Sequence, residues 1–154
     1  GVTVLFGAPM KSEPADQALA AARTALLMRN LLNDLSASWR KRGVSGSLEM
    51  RAGIQTGFST VGVFGTDVLR RYTAVGTPVV VADALKADAD PGTIVCGSAT
   101  QALLGDDGDF VATNRGSRSL GLARPIVSYE IGRADGRSRQ QKLPREEAFF
   151  FMPR

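Results

Sequence analysis

The longest stretch of regular apolar spacing fixes the largest element of this chain. Ala18, Ala22, Ala25, Met28, Leu32, Leu35 and Trp39 recur at intervals of three and four, which lays them along one stripe of a helix. Pro14 stands just ahead and Asp16 favours the first turn. Arg40-Lys41-Arg42 put positive charge into the last turn and Gly43 ends it. The remaining apolar runs are short and cut by glycine, proline or aspartate. Strands and helices interleave without the strict alternation of a doubly wound sheet, which points to helices packed on a mainly antiparallel sheet.

Val2-Thr3-Val4-Leu5-Phe6 reads as a strand stopped by Gly7-Ala8-Pro9. A strand that opens a chain needs neighbours for its backbone groups, so a preceding segment is expected. Leu48 to Ile54 alternates as a strand and Thr60 to Gly65 as a second. With Gly57 between them, they are expected to form an antiparallel pair joined by a turn. Asp67 to Arg71 reads as a charged excursion before Tyr72-Thr73-Ala74-Val75-Gly76. Val79-Val80-Val81 alone would favour a strand. Pro78 before it and Ala82 to Ala87 after it predict instead a helix ending near Ala89. Thr93 to Cys96 is expected as a buried strand, Ser98 to Leu104 as a short helix, and Phe110–Thr113 and Ile126–Ile131 as the last strands. The chain thus divides into a body over 1–131 and a polar tail over 132–154 that ends in the apolar run Phe149-Phe150-Phe151-Met152. The class expected is α+β, with helices on one face of a mainly antiparallel sheet.

Composition narrows the chemistry. The chain has 154 residues, 44% hydrophobic and 22% charged, enough for one core. It contains no histidine, which excludes imidazole bases, Ser-His-Asp triads and His-ligated zinc within it. Its one cysteine, Cys96, sits in an apolar run and reads as a small core residue. With no charged region and apolar core of a secretory signal at the N-terminus, a reducing, cytoplasmic setting is expected. No stretch approaches the roughly 20 apolar residues of a membrane helix, so no membrane contact is expected from this segment. The net charge of +4 is concentrated in Arg133, Arg137, Arg139, Lys142 and Arg145. That cluster reads as a solvated tail, and with only 6% aromatic residues the chain carries no nucleic-acid signature.

The motifs in their order resemble a known family. Val4 to Pro9, the helix ending at Trp39, Arg51-Ala52-Gly53-Ile54-Gln55-Thr56-Gly57, Val61-Gly62 with Phe64-Gly65, Tyr72-Thr73 with Gly76, and Pro91-Gly92-Thr93-Ile94 look like the catalytic domain of class III adenylate/guanylate cyclases. The resemblance covers residue 2 to about residue 131. It implies a ferredoxin-like α+β sandwich of the nucleotidyl cyclase type, working as a homo- or heterodimer with another cyclase domain and taking ATP or GTP. It also implies a metal-assisted attack of the ribose 3′-hydroxyl on the α-phosphate. In that chemistry two aspartates hold two metal ions, and an asparagine and an arginine from the opposite subunit orient the ribose and stabilise charge.

Carried over position by position, the resemblance is incomplete. The metal aspartates and one purine-reading residue of the family belong to segments ahead of Gly1, so no cofactor is expected to be bound by this chain alone. Magnesium or manganese is expected if upstream aspartates exist. Val80 stands where the family pattern has its asparagine, Ala84 where it has the arginine, and Leu120 where it has a phosphate-binding lysine. Arg51 matches the strand arginine that reaches the triphosphate, and Thr73 matches a purine-reading position. Losing one donor from a preorganised site costs about 100- to 1,000-fold in rate. The expectation is a degenerate cyclase domain, inactive by itself. The alternative is the metal-bearing half of an adenylate cyclase that needs a complementary subunit.

Overall fold

The computed structural model of the chain describes residues 1–7, 13–105, 109–134 and 152–153. Helix α1 spans Pro14–Lys41, with Pro14 in its first turn and Asp16 favouring the N-terminal dipole. It closes in a Schellman motif: Gly43 N–H donates to Arg40 C=O at 3.1 Å and Val44 N–H to Trp39 C=O at 3.1 Å. Gly43 sits at φ +79°, the left-handed backbone that this closure needs.

Strand β1 (Val2–Thr3) is followed after α1 by β2 (Ala52–Ile54), β3 (Thr60–Gly65), β4 (Arg70–Val75), α2 (Thr77–Asp88), β5 (Ile94–Gly97), α3 (Ser98–Leu104), β6 (Phe110–Arg118), β7 (Ile126–Arg133) and β8 (Met152–Pro153). A four-stranded sheet runs in the order β2-β5-β7-β6. β2 and β5 are parallel, whereas β5–β7 and β7–β6 are antiparallel. β3 and β4 make a separate two-stranded arm, and β1 pairs with β8.

The mainly antiparallel α+β class expected from the sequence holds, with one difference in how its helices lie. Ile94 and Cys96 of β5 and Ile131 of β7 pack with Ala18, Ala22, Ala25 and Leu26 of α1 and Leu104 of α3. Val95, between them and facing the other way, packs with Val81 and Leu85 of α2. Helices therefore cover both faces, not one.

The antiparallel pair expected from residues 48–54 and 60–65 does not form. β2 lies between two helix layers and takes β5 as a parallel neighbour. β3 pairs instead with β4, which draws Arg70 and Arg71 out of the expected excursion into a strand, Phe64 facing Arg71 and Gly65 facing Arg70. Ahead of β2, Leu48–Arg51 is not strand: Ser36 Oγ accepts the Leu48 N–H at 2.9 Å, and Met50 C=O accepts the Gly92 N–H at 3.0 Å. Of the polar tail, Gly132 to Ala134, which end β7 and follow it, and Met152–Pro153 of β8 are described; the rest, Phe149–Phe151 included, lies outside the described residues.

Candidate functional site

β2 ends at Ile54, and the chain leaves it under the control of one buried hydroxyl. Thr100 of α3 is fully buried; its Oγ1 accepts the Thr56 N–H at 2.9 Å and lies 3.1 Å from Thr56 Oγ1. That anchor directs Gly57 toward the first turn of α2, where a side chain at position 57 would come within 2.6 Å of Pro78 Cγ. The arm β3–β4 thus starts at the N-terminal end of α2, and Gly76 joins the two elements.

The arm is apolar without being covered. Its register puts Val61, Val63 and Tyr72 with Ala74 on one face, and Gly62, Phe64 and Thr73 on the other. Val63 is 64% exposed, Tyr72 52% and Val61 45%. Phe58 at the base and Val68 and Leu69 at the tip are also exposed. Scattered exposed apolar residues are ordinary on a protein surface, whereas here several of them gather on one hairpin.

The residues singled out from the sequence fall into three settings. Arg51 is exposed immediately before β2 and makes no hydrogen bond or ion pair among the described residues. Thr73, half-buried on β4, faces Gly62 across the arm, which leaves its hydroxyl beside a position with no side chain. Val80 lies on the first turns of α2, 55% exposed, and Ala84 one turn further on is half-buried. Leu120, in the β6–β7 connection, packs against the cluster of Val81, Leu85, Ala89 and Val95. Among the described residues no hydrogen bond links Arg51 with Thr73, and Leu120 is spent on packing under α2.

Sequence reasoning missed two features. One is the exposed apolar arm, whose residues read only as a strand and a charged excursion. The other is a set of charges at the far end of α2: Arg115 Nη2 lies 2.9 Å from Asp90 Oδ2 and Arg118 Nη1 lies 3.5 Å from Asp88 Oδ1. The alternate apolar positions Val61 and Val63, with Tyr72 opposite Val63, could have signalled the first; nothing in the local sequence signals the second.

The described residues hold no group of three or more cysteine, aspartate or glutamate side chains able to bind a metal ion. No described helix is long and apolar enough to cross a membrane.

The profile of the adenylate and guanylate cyclase catalytic domain matches residues 2–131. Among solved structures, the adenylyl cyclase CyaB from P. aeruginosa is 32% identical, with a TM-score of 0.78, over 86% of this chain and 66% of that one. The guanylyl cyclase Cya2 is 27% identical with a TM-score of 0.72, over 90% of this chain and 74% of that one. The guanylate cyclase domain of RhGC from Catenaria anguillulae, solved with GTP, is 21% identical with a TM-score of 0.64, over 83% of this chain and 65% of that one. That last likeness is one of fold. The chain spans about two thirds of the length of the CyaB structure. No curated protein matches it.

Proposed function

Because the chain belongs to the adenylate and guanylate cyclase catalytic domain family, with residues 2–131 matched, we propose that it serves as a non-catalytic cyclase-homology module. It would dimerise with another cyclase domain, a second copy or a different chain, and act in cyclic-nucleotide signalling through that partner. The body over 1–131 would be the module and 132–154 an appended tail.

The observation that carries this reading is Val80. It stands where the family pattern has a ribose-orienting asparagine, and it is 55% exposed on α2, so a methyl surface is what a partner or nucleotide would meet. Ala84 offers no donor one turn on, and Leu120 is packed beneath the helix. Apolar groups at these positions supply nothing to a developing charge. The exposed arm supports association, since Val61, Val63 and Tyr72 gain by being covered. Any nucleotide would be ATP or GTP, held by Arg51 and Thr73.

Arg51 supports a second reading, the metal-bearing half of an adenylate cyclase. Its exposed guanidinium is free to take a terminal phosphate. Such a half would convert ATP to cyclic AMP only with a complementary subunit, and with magnesium or manganese if aspartates upstream of Gly1 exist to hold it.

The test is turnover of ATP and of GTP with manganese, by the chain alone and mixed with a cyclase domain that carries the asparagine, arginine and lysine. No product in either case is expected. Product only in the mixture would favour the second reading, and product from the chain alone would overturn both.

A further inference from the structure

Helix α2 rests on β2 at a place with nothing to grip. The Ala82 carbonyl oxygen fills the space above Gly53 where a side chain would stand, so helix and strand meet backbone to backbone. Without interdigitating side chains at that contact, sliding of the helix along the strand meets little resistance there. Its first turn is seated by Pro78 over Gly57. Its other end is held differently.

That end is bracketed by two arginines from β6, the strand at the opposite edge of the sheet. The β6–β7 ladder shifts register between Asn114 and Gly116, leaving Arg115 as the extra residue of a bulge, and the Gly116 N–H donates to Asn114 Oδ1 at 2.6 Å. The bulge re-aims Arg115 inward: its side chain is 11% exposed, and its Nη2 meets Asp90 in the connection that leaves α2. Three residues on, Arg118 reaches Asp88 in the last turn of the helix. Arg115 Nη1 and Asp88 Oδ2 are both buried and make no hydrogen bond. A guanidinium carried this far from water by a bulge, for a single bond to an exposed carboxylate, is an expensive way to gain stability. It is an effective way to fix a helix end.

We infer that Arg115 and Arg118 are positioning residues, which set the placement of α2 on the sheet and hence where Val80 and Ala84 stand toward a partner. The second half of this statement rests on the dimerising role proposed above. The first half does not.

The test is amide hydrogen exchange and sedimentation on the full 154-residue chain, with Asp90→Asn, Arg115→Met and the exchanged pair Asp90→Arg with Arg115→Asp. Asp90 is 71% exposed, so Asp90→Asn keeps the fold even if Arg115→Met does not. In Asp90→Asn the amides of α2 are expected to exchange roughly fivefold faster or more, those of Ile94 to Cys96 to keep their protection, and self-association to weaken by a similar factor. The exchanged pair restores both. A uniform loss of protection across α2 and β5, or no change in α2 at all, overturns the positioning role. A wild-type chain that associates neither with itself nor with a cyclase domain overturns the dimerising role instead, while the exchange pattern still decides the positioning role.

Discussion

Gly53 of β2 lies against Ala82 of α2 so closely that a methyl group at position 53 would overlap the Ala82 carbonyl oxygen and come within 2.5 Å of the Lys86 amide nitrogen. Both obstacles are helix backbone, which cannot yield without lifting the helix. Gly53→Ala is therefore expected to cost about 1–3 kcal/mol or more, the range for overpacking a closed interior. Urea unfolding measures it, and a cost below about 0.5 kcal/mol would mean that α2 does not sit on β2 as described.

That contact also shows where sequence reasoning stops. Helix α1 was legible because its stripe repeats at the helical period within one segment, and its end because Gly43 and the basic triplet are local signals. α2 was legible despite Val79-Val80-Val81, because Pro78 and the alanines after it outweigh β-propensity. The pairing of β2 was not, since its partner β5 lies some forty residues on. Alternation cannot tell a strand covered on both faces from one covered on one face, so β2 was matched to the nearest strand, β3. The candidate positions Arg51, Thr73, Val80, Ala84 and Leu120 rest on motif order alone, which does not separate an exposed Val80 from a packed Leu120. Arg115 was out of reach because a bulge in β6 aims it, and that bulge follows from pairing with β7.

Thr100 offers a sharper test of how the arm is rooted. Its Oγ1 is the acceptor for the Thr56 N–H, and the residue is fully buried. Thr100→Val keeps the shape and removes the acceptor, leaving that N–H without its protein partner. A loss of about 1–3 kcal/mol is expected, together with faster exchange of the Thr56 amide. If stability falls but the Thr56 amide stays protected, another group holds the exit from β2.

The arm itself should be separable from folding. Val63 is 64% exposed and lies across from Tyr72. Val63→Lys removes little that the monomer buries, so its unfolding free energy should change by less than about 0.5 kcal/mol. Placed in an apolar interface, the same ammonium must be desolvated, and self-association should be lost. Sedimentation velocity over a range of concentrations reads the association, and thermal melting reads the fold. Unchanged association in Val63→Lys would move the interface away from this face of the arm.

Cys96 makes a prediction about pH. It is fully buried among Ile94, Ile131 and α1, and burial pushes its thiol from the ordinary 9.0 up to about 12. Below about pH 9 the thiol is protonated in both folded and unfolded chains and contributes no pH dependence. Above it the unfolded chain releases the proton while the folded chain keeps it. The stability present below the unfolded value is then lost as pH rises toward the folded one, by up to about 1.4 kcal/mol per pH unit. Cys96→Ala is expected to be less stable at neutral pH, because it leaves a cavity, yet to lose stability less steeply between about pH 9 and 11. Urea midpoints for the two proteins across that range give the difference in slope, with other titrations common to both. Parallel curves, or a native thiol that iodoacetamide alkylates as fast as the urea-unfolded one, would show that position 96 is open to solvent and that the packing of α1 on β5 is wrong.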